Sequence, residues 1–486
     1  MFWVHLPSIH HQTIFKIVIL TFCFFASLYA FGQASVEALI KKHEIPKSKL
    51  SIILEDSESG RRLIEINSNH SRSPASVAKL FTAFAAIDLL GMNYQWKTEA
   101  HIDPKDRDKD NINYLLIRGG GDPSFSINDL ESLVLKIRAT GIREIRNGLY
   151  LDRSFFKQRK KSTGSFDQSP LRPYNTMHSS LIVNSNKLDL NFIFNSKTKK
   201  IDITPSFLPA EVRIQNDLSI GSGDCKDFRS QVNFEERLEK ETLTILIDGF
   251  YPDQCPSFEH DVAITETEHY FYGAFKKIWL DSGGTINGYY KKRKRPQRNT
   301  LIATVSSEEL ISALRLILKE SDNLISRNVF LSFAEKSERR KLRNTRKMVY
   351  KSMKNNDVQW HNRNFIDNGS GLSRKTRLKP ETVMGLIKKM DQDNKFLEMK
   401  SMLPVSGVDG TLKNIYQSSL LRGQMRLKTG TLNGVRCLAG FITSLSGKEY
   451  RFVFMHNNFD EHEYDLRSFT TELLNLIVSE ELIAFD

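Results

Sequence analysis

The chain has 486 residues, of which 40% are hydrophobic, and its formal net charge is +13. This length exceeds one ordinary domain of roughly 100–200 residues, so we expect two or three domains with sizeable cores. The excess of lysine and arginine favours anionic surroundings, such as a membrane surface or an acidic cell-wall polymer. The basic runs at 157–161, 291–295 and 339–347 carry neither an aromatic platform nor a zinc-ligand spacing, which disfavours a nucleic-acid partner.

The N-terminal segment predicts export. An acid-free stretch that contains Lys16 precedes the apolar run 17–31, which is shorter than the roughly 20 residues of a transmembrane helix. Ala30 and Gly32 end this run in a small-x-small pattern that is typical of signal cleavage. We interpret residues 1–32 as a signal peptide, with an uncleaved anchor as the alternative. We therefore expect an exported protein of the periplasm or cell envelope.

The segments after residue 32 alternate in character along the chain. A helical pattern, the strand "LSIILED" and the strand "LIEIN" come first, and an apolar helix with Gly91 after its end follows. From about Met92 to Pro256, short alternating runs separated by turns predict β-rich material. Helical patterns return from about Glu266. Two strand patterns, "QMRLKTGTLNGVRCLAGFITS" and "EYRFVFMHNN", and an amphipathic helix end the chain.

Removal of a signal peptide would leave three cysteines, and in an exported protein two of them should pair. Cys225 and Cys255 both lie among turn-forming residues, whereas Cys437 lies in a strand-like segment. We expect a disulfide between Cys225 and Cys255 and a buried free thiol at Cys437.

One serine–lysine pair, Ser76 and Lys79, stands at the front of the apolar helix. Positions i and i+3 lie on one helix face, so the amine can reach the hydroxyl. A serine is a poor nucleophile until a neighbour takes its proton, and a partly buried lysine near other cations is suited to do so. The pair alone is weak, because Ser196 and Lys199 repeat the same spacing. An N-terminal turn serine beside a surface lysine is the alternative.

Two further elements strengthen the catalytic interpretation. "KESDNLI" places Ser321 and Asn323 at the end or bend of an apolar helix, and "RLKTGTLNGV" places the run Lys428, Thr429, Gly430 and Thr431 on a strand. The ordered set Ser-x-x-Lys, Ser-Asp-Asn and Lys-Thr-Gly is the signature of penicillin-recognising serine enzymes.

The sequence segments around these motifs extend the resemblance over the whole mature chain. "SPASVAKLFTAFAAIDLLG", "RGGGDPSF", "DNGSGLSR", "LPVSGVDGTLK" and "KTGTLNGVRCLAGFIT" resemble the class C low-molecular-mass (type-4) penicillin-binding proteins. That family comprises D-alanyl-D-alanine carboxypeptidases and endopeptidases. The resemblance implies peptidoglycan peptide stems as substrate, β-lactam antibiotics as covalent inhibitors, and no cofactor or metal.

The resemblance also implies an α/β (α+β) fold. A transpeptidase-like domain with an antiparallel sheet flanked by helices should carry two smaller β-rich inserted domains, nested one inside the other. The expected bounds are given by residue range: 33–88 and 256–486 for the catalytic domain, 89–105 and 176–255 for inserted domain II, and 106–175 for inserted domain III.

The family mechanism assigns roles to the matched residues. Ser76 would attack the carbonyl between two D-alanines while Lys79 takes its proton, and the backbone N–H groups of Ser76 and Thr431 would form the oxyanion hole. Ser321, near Lys428, would relay a proton to the leaving amine. Asn323 would hold Lys79 and the substrate amide.

The substrate-binding residues follow from the same resemblance. Lys428, Thr429 and Thr431 would bind the terminal carboxylate, and Gly430 would let the strand pass close to the substrate or mark an ordinary bulge. In the family, an acidic residue of the inserted region contacts the amino end of a diamino acid side chain of the substrate. Asp167 is the nearest candidate for this residue; the alternative is an acid that belongs only to its loop. Leu432 would line that pocket or belong to the core.

Other local features carry less weight. The loops 367–373 and 406–411 are candidates for site walls. After Ser-Asp-Asn the family usually has an alanine and an acidic residue, but Ser326 and Arg327 stand here, which puts the local helix packing in doubt.

Two alternatives remain from the sequence. One is a serine β-lactamase or esterase of the same fold, for which the inserted region is too long and a deacylating base is not identified. The other is a catalytically weak penicillin-binding scaffold protein, which should have lost part of the reactive set.

Overall fold

The structure, a computed structural model, describes residues 35–156, 164, 166–333, 342–458 and 464–481. The predicted signal peptide lies outside the described residues. No helix among those described is long and apolar enough to cross a membrane. The described residues divide into two compact units. Unit 1 comprises those of 1–84, 318–321 and 350–486, and unit 2 those of 85–317 and 322–349.

Strands predominate before residue 307 and again near the end of the chain. Within the described residues the strands, numbered β1 to β19 in chain order, are Leu50–Asp56, Arg62–Ile66, Lys97–Ile102, Asn111–Ile112, Leu115–Gly119, Glu144–Ile145, Leu149–Asp152, Lys187–Asn195, Lys200–Pro205, Val212–Gly221, Val232–Glu239, Thr242–Pro252, Phe258–Ala263, Thr285–Ile286, Tyr290–Lys292, Thr300–Ser306, Met425–Leu432, Val435–Thr443 and Glu449–Asn457.

Helices are numbered in the same way, after a helical stretch at residues 35–42. In the described part of the chain, α1 to α9 are Ala78–Leu90, Ile127–Ala139, Thr267–Asp281, Leu310–Arg315, Asn323–Ser332, Leu342–Asn355, Pro380–Gln392, Glu398–Ser401 and Leu466–Val478.

Unit 1 is built on one antiparallel sheet with the strand order β17-β18-β19-β1-β2. The two central strands are buried almost throughout, because helices cover both faces. Leu54 of β1 and Phe452 of β19 are register partners and share a core with Phe469 and Leu473 of α9. Helix α7 is outside that core and packs against β1, β18 and β19. This confirms the predicted antiparallel sheet flanked by helices.

A buried charge network ties α7 to this sheet. Arg451 of β19 lies opposite Glu55 of β1 and donates to its carboxylate at 2.9 Å. The same guanidinium donates to Asp391 of α7 at 2.8 Å. Glu55 also pairs with Lys388 and Arg62, each at 2.8 Å. Because Glu55 and Arg451 are almost completely buried, their charges must be paired to be tolerated.

Unit 2 combines short sheets around one core, as the alternating runs predicted. Its largest sheet has the order β15-β7-β5-β3-β16, and three-stranded sheets are formed by β10-β12-β11, β13-β8-β9 and β14-β6-β4. Helices α2 and α3 contribute Leu133, Ile137, Phe275 and Trp279 to the same apolar core as the strands.

The two-unit division places residues 256–317 in unit 2, although the sequence analysis assigned them to the catalytic domain. Strand pairing is the physical reason: β16 pairs with β3, and β15 pairs with β7. The finer division of the inserted region into two nested domains stays a prediction.

The predicted disulfide is confirmed, since Cys225 and Cys255 are bonded in unit 2. Cys437 is a free, buried thiol on β18, as expected, and burial raises the pKa of that thiol to about 12.

We predict that Arg451→Met destabilises unit 1 by about 3 kcal/mol, because Glu55 and Asp391 would lose a buried cationic partner. Equilibrium denaturation in urea measures the effect. The matched control is Arg426→Met on β17, where the arginine is exposed, and its stability should change by less than about 0.5 kcal/mol. Equal loss in the two variants would contradict a structural role for the network.

Candidate active site

The first predicted pair lies where a 3₁₀ turn, Ala75–Val77, leads into α1. Ser76 is in the turn, Lys79 is in the first turn of the helix, and the lysine Nζ donates to the serine Oγ at 2.9 Å. The helix is anchored below them, since the ring of Phe84 stacks on Phe396 with centroids 3.7 Å apart. The i, i+3 spacing therefore brings amine and hydroxyl into contact, as predicted.

The turn that carries Ser76 has an unusual backbone and is held from outside. Ala75 has a φ of 45°, which lies in a region of backbone conformation that residues other than glycine rarely occupy. Just before it, Asn457 of β19 accepts from the Ser73 N–H at 2.6 Å and donates to the Ser73 carbonyl at 3.1 Å. Such a conformation persists only where the surroundings fix it, and it is typical of functional sites.

The loop 367–373 closes around the same turn. Lys79 is fully buried and donates a second hydrogen bond to the Ser370 carbonyl at 2.6 Å. Gly371, with φ 81°, leaves no room for a side chain, because a Cβ there would lie 1.9 Å from the Ala75 carbonyl oxygen. This predicted wall loop thus contacts Lys79 directly.

A second serine–lysine pair forms between the Ser-Asp-Asn and Lys-Thr-Gly motifs. A π-helical turn, Leu316–Glu320, ends at Ser321, whose φ is 64°. The Ser321 Oγ accepts from the Nζ of Lys428 at 2.9 Å. Lys428 is fully buried, and burial lowers its pKa to about 7 although the charge of Glu320 opposes the shift.

Strand β17 runs close to the turn that carries Ser76. A Cβ on Gly430 would lie 2.6 Å from the Pro74 carbonyl oxygen and 3.1 Å from the Ser76 nitrogen. The hydroxyl of Thr429 contacts that of Thr411 at 2.8 Å, which brings the second predicted wall loop against this strand. Only a glycine at position 430 lets β17 approach the turn at Pro74 and Ser76 so closely.

The last two predicted residues of β17 differ in exposure. Thr431 is exposed, whereas Leu432 is only 8% exposed at the end of the strand. Burial is compatible with either interpretation of Leu432, as a pocket residue or as core, so its role stays a prediction.

Sequence reasoning missed a tether between the two loops that carry Ser321 and Thr411. Lys319 donates to Asp409 and to the Leu403 carbonyl, both at 2.7 Å. The other oxygen of Asp409 accepts from the Val405 N–H at 2.8 Å. The position of Lys319 two residues before the Ser-Asp-Asn motif was the only available signal.

Asn323 belongs to unit 2, where it begins α5. Asp322 caps this helix by accepting from the Ile325 N–H at 2.7 Å. The Asn323 side chain donates to the Tyr174 carbonyl at 3.4 Å. Its predicted contact with the substrate stays a prediction.

Asp167 lies in unit 2 and is exposed, but its carboxylate is already engaged. It accepts from the Tyr174 hydroxyl and the Asn175 amide, each at 2.7 Å, and from the Ser169 N–H at 3.1 Å. Partial burial opposes the shift, but these hydrogen bonds outweigh it and lower the pKa of Asp167. The carboxylate fixes its own loop, and its contact with substrate stays a prediction.

The departure after Ser-Asp-Asn has a structural explanation. Arg327 of α5 donates to the Thr176 carbonyl at 2.9 Å, and Asn328 donates to the Ser179 carbonyl at 3.0 Å. Ser326 is fully buried, so its small side chain suits the packing. The arginine therefore holds the segment after Tyr174 instead of disturbing the helix.

Unit 1 thus brings together five predicted residues, which are Ser76, Lys79, Ser321, Lys428 and Gly430. Among the described residues, no cluster of three or more histidine, cysteine or acidic side chains is placed to hold a metal ion.

Comparison with known proteins gives the family. The D-Ala-D-Ala carboxypeptidase 3 (S13) family matches residues 32–473. The D-alanyl-D-alanine carboxypeptidase DacB of Haemophilus influenzae is 24% identical over 447 residues, which cover 91% of this chain and 92% of the relative. A D-alanyl-D-alanine carboxypeptidase of Actinomadura sp. is 23% identical over 440 residues, which cover 87% and 80%.

Solved structures agree on the fold. Penicillin-binding protein 4 (DacB) from Haemophilus influenzae superposes with a TM-score of 0.76 at 23% identity, covering 91% of this chain and 99% of that one. Its complex with a β-lactam gives 0.72 at 22% identity, covering 93% and 99%.

These comparisons confirm the family, the fold class and the enzyme class predicted from the sequence. The protein is a serine DD-peptidase that acts on peptidoglycan. With the family match spanning most of its length, the chain belongs to the D-Ala-D-Ala carboxypeptidase 3 (S13) family.

Proposed function

We propose that Ser76 is the nucleophile and Lys79 its general base in the cleavage of D-Ala–D-Ala bonds of peptidoglycan stems. The observation that carries this proposal is the 2.9 Å contact between the Lys79 Nζ and the Ser76 Oγ. With neutral lysine the hydroxyl donates in this contact, and its proton passes to the amine as the Oγ attacks the carbonyl carbon. The C–N bond then breaks, and water hydrolyses the resulting ester.

The departing D-alanine needs a proton on its nitrogen, and Ser321 is proposed to deliver it. The Ser321 Oγ lies 2.9 Å from the Nζ of Lys428. A lysine with a pKa of about 7 exchanges protons readily near neutral pH, which suits a relay. Asn323 is proposed to hold Lys79 and the substrate amide.

The carboxylate of the terminal D-alanine is assigned to Lys428, Thr429 and Thr431. A cation beside hydroxyl groups suits an anion. The oxyanion is assigned to the backbone N–H groups of Ser76 and Thr431. The close approach of Gly430 to the Ser76 nitrogen supports this pairing of strand and turn.

The protein is proposed to be exported and to act in the periplasm or cell envelope. There the enzyme would act as a carboxypeptidase on stem ends and as an endopeptidase on cross-links to a diamino acid, since both reactions release an amine from a D-alanyl carbonyl. β-Lactams would acylate Ser76 covalently. Peripheral association with a membrane or cell-wall surface through the basic surface also stays a prediction.

Substitution of the nucleophile should abolish acylation. We expect Ser76→Ala to lose labelling by a fluorescent penicillin and to release D-alanine from a pentapeptide at least about 10³-fold more slowly. The matched control is Ser196→Ala, because Ser196 is exposed and has the same spacing to Lys199 as Ser76 has to Lys79. This variant should behave as the native protein does. Equal labelling of Ser76→Ala would refute the nucleophile. Labelling of the native protein without D-alanine release would favour the scaffold alternative.

The pH dependence of acylation should follow the loss of the proton from the Lys428 ammonium group. Its folded pKa of about 7 is below the ordinary value of 10.5, so its ammonium is present below pH 7 and is lost as pH rises. If this cation binds the substrate carboxylate, the second-order rate of acylation by benzylpenicillin should fall with a midpoint near pH 7. Lys428→Arg, which stays charged, should lack this descending limb. A native profile that is flat from pH 6 to 9 would contradict the assignment.

The close approach of β17 predicts that Gly430→Ala slows acylation by about tenfold or more. Its Cβ would lie 2.6 Å from the Pro74 carbonyl, so strand and nucleophile turn must separate. Stopped-flow measurement of penicillin acylation tests this. Gly385→Ala in α7 is the control, because nothing lies within 4 Å of that Cβ. An unchanged rate for Gly430→Ala would show that the contact is not needed.

A further inference from the structure

Unit 2 contains a cavity of about 1330 Å³ that the proposed reaction does not use. Pockets that hold small ligands usually measure roughly 300–1,000 Å³, so this one has room for an extended oligomer. Its walls are the loop 168–172, residues 227–236 at the start of β11, and His260 of β13.

Two arginines without acidic partners line this cavity. Among the described residues, the guanidinium groups of Arg172 and Arg229 make no hydrogen bond or ion pair, and both side chains are exposed. The guanidinium of Arg229 lies over the ring of Phe258 at 5.2 Å. Burial, followed by the charges of Arg172 and Arg229, lowers the pKa of His260, which places both cations near this imidazole.

The three acids of the lining are not paired with these two arginines in the described part of the chain. Glu235 is paired with Arg237, which lies outside the lining, at 2.8 Å. Glu236 directs its carboxylate to the N–H groups of Thr265 and Glu266. Glu236 keeps its charge, but among the described residues neither Glu236 nor Asp227 forms an ion pair with Arg172 or Arg229, so both guanidinium groups are available to a ligand. Arginine forks match carboxylates in a bidentate manner, so the cavity is suited to an anion of this kind.

An apolar surface lies beside the cations. The rings of Phe234 and His260 are stacked 4.5 Å apart and nearly parallel, at 3°, and both are half-buried. A ligand that combines carboxylates with small apolar groups fits such a wall. The peptide stems of peptidoglycan have this character, whereas its glycan sugars, once joined to the stems, carry no charge.

Both walls are fixed in the absence of ligand. Asp167 accepts from the Ser169 N–H, and the Leu171 carbonyl accepts from the Ala263 N–H at 2.9 Å, so the loop that carries Arg172 is tied at both ends. On the opposite side, Cys225 lines the cavity and is bonded to Cys255. A preformed site loses less conformational entropy on binding.

We propose that this cavity is a second, non-catalytic site that binds a carboxylate-bearing stem peptide of the peptidoglycan polymer through Arg172 and Arg229. This inference rests on the proposed function, because that function supplies the polymer as substrate. A site of this kind keeps the enzyme on the polymer between successive cleavages by multivalent attachment.

The test uses full-length protein acylated by benzylpenicillin, so that the reactive site is closed to its own product. The probe is the tetrapeptide L-Ala-γ-D-Glu-L-Lys-D-Ala, titrated by calorimetry. We expect saturable binding that is weakened about tenfold by Arg172→Gln or Arg229→Gln, since each removes a charge-assisted contact. Arg213→Gln, an exposed arginine of β10 outside the lining, is the matched control and should bind as the native protein does.

Two further arms identify the ligand chemistry. The tetrapeptide with both carboxylates amidated should bind at least about tenfold more weakly, and peptide-free glycan strands should not compete. Equal affinity of the native and both arginine variants, no binding at all, or competition by glycan alone would overturn the proposal.

Kinetics give an independent readout. Arg172→Gln should raise the KM for intact sacculi but leave the hydrolysis of a small pentapeptide and the rate of penicillin acylation unchanged. An unchanged KM for sacculi would contradict the proposal. Acylation of the native protein and its cleavage of the pentapeptide are measured before the tetrapeptide is added. Failure of either would refute the proposed function rather than the second site.

Discussion

Two lysine amines, those of Lys79 and Lys428, are buried completely, and each lies 2.9 Å from a serine hydroxyl. Burial of an amine without acceptors is strongly unfavourable. The fold therefore surrounds both amines with oxygens, from the Ser370 carbonyl for Lys79 and the Thr429 carbonyl for Lys428. The proposed catalytic set depends on this arrangement, because desolvation lowers the pKa of Lys428 to about 7, into the range of acid–base chemistry.

The same arrangement requires strain in the backbone. Ala75, which precedes the proposed nucleophile, and Ser321, the proposed relay, both have positive φ. Conformations of this kind cost about 1–3 kcal/mol each and persist only where other contacts fix them. Asn457 fixes the first by bonding Ser73, and the tether from Lys319 to Asp409 joins the loops around the second. The stable sheet of unit 1 supports both turns.

Unit 2 uses its polar groups differently. Helix α5 directs Asn323, Arg327 and Asn328 to carbonyls of the segment 174–179, and Asp167 organises the loop just before it. The first three of these contacts are made by one helix, which begins two residues after Ser321. Helix α5 therefore determines the packing of this segment of unit 2.

Much of the catalytic set could be predicted from the sequence because its geometry is local. The i, i+3 spacing determines that Lys79 reaches Ser76, and the amphipathic pattern of α9 determines which of its faces is buried. The order of the three motifs identified the family. The turn chemistry around Cys225 and Cys255 predicted their disulfide, since each segment is short and bounded by Gly, Asp or Pro.

What the sequence could not supply depends on contacts between distant residues. Nothing in the sequence indicated that β16 pairs with β3, because this pairing joins residues about 200 positions apart. The Ser370 carbonyl and the Lys319–Asp409 tether have no motif, since a backbone oxygen or an ion pair can be provided by many residue types. The sequence by itself determined the family and the helix that carries Ser76 and Lys79, and it predicted which residues react. Only the tertiary structure decided which amines are buried and which backbones are strained, because burial and strain are set by whatever packs against a residue from elsewhere in the chain.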